Sequence, residues 1–128
     1  MTGVQTCALP ISISNLSIFN NSSKLGLTAR DLTINNQLTL NGQLSLNNQN
    51  LILTATASSI AGTLGFGNGM IVTNATGEVR KTLASNSSYL FPVGSSSSEY
   101  SPATLTFAGT AGVKVANTKH PNTANTTH

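Results

Sequence analysis

From Leu32 onward one phrase is written three times: Leu32-Thr33-Ile34-Asn35-Asn36-Gln37, Leu38-Thr39-Leu40-Asn41-Gly42-Gln43 and Leu44-Ser45-Leu46-Asn47-Asn48-Gln49, with Leu51-Ile52-Leu53 beginning again. Aliphatics two apart share one face of an extended chain, so each phrase is a very short strand. The Asn-Asn or Asn-Gly pair that follows suits a corner, because both residues tolerate tight backbone turns and Asn bonds the local main chain. Two topologies fit. Asn41-Gly42 as a two-residue hairpin turn gives an antiparallel meander. Hexads as successive faces of a coil, three to a roughly triangular turn, give a β-solenoid. The coil is favoured, since the segments are short and Asn recurs at equivalent places, where stacked amide ladders form.

One coil does not stand alone. Burial of its aliphatics does not outweigh the ordering of its backbone, and a solenoid turn needs neighbours to complete its ladders. Neighbouring coils of a longer parent chain are therefore the first expected partners, and the chain reads as an incomplete fragment.

The alternating texture covers residues 12–66, the expected Leu/Asn-rich solenoid-like region, including Leu16-Ser17-Ile18, Leu25-Gly26-Leu27 and Ile60 to Phe66. Gly65-Phe66-Gly67-Asn68-Gly69 reads as a joint, without the Lys or the following helix of a phosphate-binding loop. Residues 67–128 read as a second, antiparallel β unit that is truncated at its C-terminal end. Met70 to Thr73 and Val79 to Leu83 flank Asn74-Ala75-Thr76-Gly77, which predicts a hairpin with Gly77 in the left-handed region. Tyr89 to Val93, Ala103 to Phe107 and Gly112 to Ala116 are further strands, with Pro92 and Pro102 at strand ends. No segment has helical periodicity with caps. The expected class is all-β: a short β-solenoid followed by a small antiparallel β-sandwich-like unit.

Composition narrows the function. Charged residues are 7% of the chain and apolar residues 38%, against about 25% charged in ordinary globular proteins. Asn, Ser and Thr replace the charges, which leaves a polar, uncharged surface over a packed β structure. The net charge of +3 is carried by scattered residues, of which only Arg80 and Lys81 are adjacent. Nucleic-acid binders show a clustered basic stripe with interleaved aromatics, so no nucleic-acid partner is expected. No apolar run approaches the ~20 residues that span a bilayer, and no membrane insertion is expected.

Catalytic constellations are thin. Asp31, Glu78 and Glu99 are the only acids and lie far apart in sequence, whereas glycoside hydrolysis pairs two carboxylates across the scissile bond. A polysaccharide lyase would call for clustered acids and a basic residue, and Arg30-Asp31 falls short of that. His120 and His128 are too few for a zinc site. The many serines lack a Gly-x-Ser-x-Gly elbow and a His–acid pair. No enzyme, no cofactor and no metal are expected. The Asn-x-Ser/Thr sequons at Asn15, Asn20, Asn21, Asn74, Asn86 and Asn125 follow from composition. Tyr89, Phe91, Tyr100 and Phe107 admit two readings: a sugar-stacking platform, with Tyr89 and Tyr100 as ligand contacts, or core residues at alternating strand positions.

Two resemblances bear on this reading. Met1-Thr2-Gly3-Val4-Gln5-Thr6-Cys7-Ala8-Leu9-Pro10-Ile11 resembles a one-frame translation of a common sequencing adapter. Residues 1–11 are then an artefact, the only cysteine belongs to it, and the remaining chain has no thiol chemistry. Met70 to Lys81, Phe91-Pro92-Val93-Gly94, Tyr100-Ser101-Pro102-Ala103-Thr104-Leu105 and Lys119-His120-Pro121-Asn122 together resemble a module of large, repeat-rich secreted surface proteins of gliding bacteria, exported by type IX secretion. The resemblance spans roughly residues 25–128. It implies an extracellular or cell-surface location, a structural or adhesive role, and surface carbohydrate or other cell-surface proteins as partners. It carries over no catalytic residue, and the sorting domain of such proteins is not in this sequence.

Overall fold

The computed structural model describes residues 11–83, 86–108 and 113–115. Residues 1–10, His120, His128 and the rest of the tail lie outside the described residues. The described residues hold eleven strands: β1 Ile11–Ile18, β2 Lys24–Gly26, β3 Leu32–Leu40, β4 Gln43–Ser45, β5 Leu51–Leu53, β6 Met70–Val72, β7 Val79–Leu83, β8 Ser87–Phe91, β9 Val93–Gly94, β10 Ala103–Phe107 and β11 Val113–Val115. One sheet has the order β1-β3-β5-β7-β11 and another β2-β4-β6-β9, while β10 and β8 form a small antiparallel pair. Neighbours in the two larger sheets run parallel, except β11 on β7. Consecutive turns of the chain therefore stack as about four coils of a β-solenoid.

The hexads account for the coil. Leu32 of β3 pairs with Leu51 of β5, so the three hexads between them make one full turn. The coil reading holds and the meander reading falls. Inward aliphatics then align in columns: Ile11, Leu32, Leu51 and Val79 on one rung line, and Leu25, Leu44, Ile71 and Val93 on the facing sheet. Leu44, Leu51, Ile71 and Val79 are fully buried in one continuous core. At about 1.5–3 kcal/mol per buried aliphatic side chain, these shared columns supply what a lone coil lacks.

The corners are held by amides, as the recurrence of Asn predicts. Asn50 donates from its backbone N and its Nδ2 to the Asp31 carboxylate (2.7 and 3.1 Å), and its own Oδ1 accepts from Glu78 N at 3.1 Å. Asn47 holds a positive φ of 55°. Its Nδ2 donates to Leu27 O at 2.8 Å, and its Oδ1 accepts from Asn74 Nδ2 at 3.0 Å. Each of these bonds ties one coil to the next, where corner backbone would otherwise lack partners. The first hexad's expected corner does not form: Asn35-Asn36 lies inside β3, where Asn36 Nδ2 donates to Asn15 Oδ1 of β1 at 2.8 Å.

Three further expectations are corrected. β6 and β7 do not form a hairpin: β6 lies between β4 and β9, and β7 pairs with β5 and β11. The 74–77 corner turns the chain from one sheet to the next. Gly77 is not left-handed, since positive-φ glycines among the described residues are Gly62, Gly65 and Gly67. It is needed because a Cβ there would overlap the carbonyl oxygen of Gln49 on the coil below. Finally, both large sheets continue through β6, β7 and β9, so the change of texture near residue 66 is no break in the solenoid. Loop 54–69 lengthens the third coil, and its Ile60 still reaches the core.

The strand ends behave differently. At the C-terminal end β11 pairs along β7, and Ser101 N donates to Val93 O at 2.7 Å on β9. The segment 95–101 also straps the outer face of the second sheet: Gln43 Nε2 donates to Ser97 O at 3.3 Å, and a Cβ on Gly94 would collide with Glu99 O. Gln43, Met70 and Val72 are buried under this strap. At the N-terminal end β1 and β2 are edge strands.

Candidate functional site

The most unusual side chain in the described structure is Lys81. Alternation along Val79, Lys81 and Leu83 turns it inward, in the column Ile13, Ile34, Leu53, Lys81. It is 3% exposed. Its stem extends the aliphatic column, and its Nζ donates to Thr54 O (2.5 Å), Ala57 O (2.8 Å) and Ala55 O (3.4 Å). The ammonium also lies 5.2 Å from the centroid of the Tyr89 ring, within cation–π range. Burial pushes the Lys81 pKa down. A turn of carbonyls thus replaces the water that an ammonium loses on burial.

Tyr89 completes the arrangement. Its hydroxyl donates to Ser58 O at 2.9 Å, its ring packs on Phe91 with centroids 5.0 Å apart, and burial drives its pKa upward. Beside the pair is a cleft of about 220 Å³ lined by Ala57, Ser59, Lys81, Ser87, Ser88 and Tyr89. Nζ is held among the three carbonyls of loop 54–58. The arrangement fastens loop 54–58 to the fourth coil.

Tyr89 and Tyr100 do not form a matched platform. At 5% exposure Tyr89 has no open ring face for a sugar; it is a core residue, as alternation along β8 allows. Tyr100 is half-buried in the segment before β10, and burial raises its pKa. The acids are tied into the scaffold. Asp31 and Glu78 occupy one corner column with Asn50 between them, an alignment their sequence separation hides. Glu78 binds Arg80, at 2.9 Å from both Nε and Nη2. Glu99 accepts from Ser95 Oγ. Among the described residues no cluster of three or more His, Cys, Asp or Glu is placed to hold a metal ion, and no helix is long and apolar enough to cross a membrane.

Sequence reasoning missed Lys81. The available signal was its position between Val79 and Leu83 at the two-residue spacing of the core face, set against the habit of lysine to stay in water. No family model, curated protein or solved structure matches the chain.

Proposed function

We propose that this chain is a non-enzymatic structural and adhesive module of a secreted bacterial surface protein. It acts at the cell surface or outside the cell as a rigid spacer. The observation that carries the reading is the stack of coils itself, in which side chains suited to chemistry are used as ties: Lys81 on carbonyls, Asp31 on Asn50 and Glu78 on Arg80. The outer rungs offer hydroxyls instead of charges, with Ser12 beside Thr33 and Ser17 beside Thr39. Such rows suit contact with carbohydrate or with other surface proteins. The resemblance to type IX-exported modules supports the same setting.

Incubation of the purified chain with extracellular polysaccharides tests the reading, with bound and hydrolysed or cleaved product measured in parallel. Retention on a polysaccharide without turnover, unchanged in Glu78→Gln, is expected. Turnover that disappears in Glu78→Gln would overturn it. A second reading, an accessory carbohydrate-binding domain of a polysaccharide-active enzyme, rests on Tyr100, whose ring is half-exposed. Binding that collapses in Tyr100→Ala with strand content intact favours that reading.

A further inference from the structure

Loop 62–69 holds one side chain out from an inner coil of the stack. It leaves and rejoins the third coil at the same point, since a Cβ on Gly62 or on Gly69 would overlap the carbonyl oxygen of Leu40 on the coil below. Between those feet the loop closes on itself. Gly69 N donates to Thr63 O (2.8 Å), Gly65 N to Gly69 O (3.0 Å) and Asn68 N to Gly65 O (3.0 Å). Thr63 N donates to Asn41 Oδ1 at 2.7 Å, which pins the loop to the Asn41-Gly42 corner. Leu64 packs against the core. Phe66, two residues on, is 62% exposed.

The glycines beside the ring differ from those at the feet. Gly65 and Gly67 have positive φ of 144° and 76°, and a Cβ on either would meet no atom within 4 Å. They serve the backbone angles of the loop and leave both flanks of Phe66 open. A single exposed aromatic is ordinary on a protein surface. One that a hydrogen-bonded loop fixes in water is preorganised, with little freedom left to lose when a ligand arrives.

The surroundings select the ligand. From Leu32 to Gly77 the sequence has no Asp, Glu, Lys, Arg or His, and that stretch supplies both the loop and the corner beneath it. The Thr63 hydroxyl and the Asn68 amide, on either side of Phe66 in the loop, have no hydrogen-bond partner among the described residues. An aromatic face beside uncharged donors and acceptors matches a sugar ring, which offers an apolar C–H face and a rim of hydroxyls. A phosphorylated or sulfated ligand would find no cation on the loop to pair with.

We propose that Phe66 is the carbohydrate-contact residue of this module. Its ring stacks on one unit of an uncharged polysaccharide, and Thr63 and Asn68 hydrogen-bond the hydroxyls of that unit. This rests on the adhesive reading above and narrows its ligand to neutral glycans.

Surface plasmon resonance of the full chain tests the site over immobilised hydroxyethylcellulose, mannan and galactomannan, all uncharged, and over alginate, which is acidic. Physiological salt screens the net charge of +3. Binding to at least one uncharged polymer is expected, with Phe66→Ala raising the Kd about tenfold. Phe66→Trp keeps a stacking face and should bind at least as well as the wild type. Phe66→Leu keeps only apolar bulk and should bind as poorly as the alanine variant. Asn68→Ala should raise the Kd about threefold. Far-UV circular dichroism shows whether each variant keeps its strands. Binding that Phe66→Ala leaves unchanged overturns the Phe66 site and leaves the adhesive reading standing. Binding to none of the polymers overturns the site and the carbohydrate contact together. Tighter binding to alginate than to any uncharged polymer, or wild-type binding by Phe66→Leu, overturns stacking on a neutral sugar.

Discussion

At one end of this solenoid the chain pairs β11 along β7, places Ser101 against β9 and folds a strap over Met70 and Val72. At the other end no strand among the described residues pairs outside β1 or β2, and Leu25 remains 39% exposed while its column partner Leu44 is fully buried. The strands at the two ends have similar composition and belong to the same columns. What differs is the number of neighbours, so burial in a solenoid is a property of position in the stack more than of residue type.

The largest effects should come from truncating side chains in the inner coils. Leu53→Ala removes a buried residue between Ile34 and Lys81 and should cost about 2–5 kcal/mol in chemical denaturation. Leu25→Ala at the open end should cost about 1 kcal/mol or less, since much of its surface is already in water. Equal losses would break the comparison.

A smaller effect is expected at Lys81, where the closed end depends on a charge. Lys81→Ala strips the carbonyls of Thr54 and Ala57 of their donor and should cost about 1–3 kcal/mol. Lys81→Met keeps the apolar stem in the column and should recover part of that loss. If the alanine variant is as stable as the wild type, the ammonium is not what holds loop 54–58.

The smallest effect is the pH dependence from Tyr89. Burial raises its folded-state pKa above the ordinary value of 10.0. Its contribution to stability is therefore fully present below pH 10 and is lost as pH climbs through the raised value. Tyr89→Phe should flatten that alkaline loss in thermal melts taken across this range. Phenolate absorbance that develops fully while the strand signal is intact would contradict the buried placement.

Much of the second coil and the start of the third is legible in the sequence, because Leu32 to Leu53 sets inward residues two apart and puts Asn or Gly at the corners after Leu40 and Leu46. Asn35-Asn36, with the same chemistry, nevertheless lies inside β3. The fourth coil is harder to read. Thr73-Asn74-Ala75-Thr76-Gly77 has the chemistry of a hairpin loop, and only the distant partners β4 and β5 decide that it is a corner between sheets. Gly77 misleads for a related reason: the close approach of Gln49 O, not the local backbone angle, excludes a side chain. Tyr89 was visible as a strand residue, but its partners Lys81 and Ser58 come from other turns of the coil. The Asp31–Asn50–Glu78 column likewise exists only once the coils are stacked.

The claim on which the rest depends is that the two sheets, through β3-β5-β7 and β4-β6-β9, continue as one stack across the texture change near residue 66. Amide hydrogen exchange measures this directly. If the stack is continuous, amides of β3, β5, β6 and β7 share the slowest, common opening, while β1 and β2 exchange faster at the N-terminal end. Protection of β3 to β5 that survives while β6 to β9 open on their own would show two separate units and contradict the single solenoid.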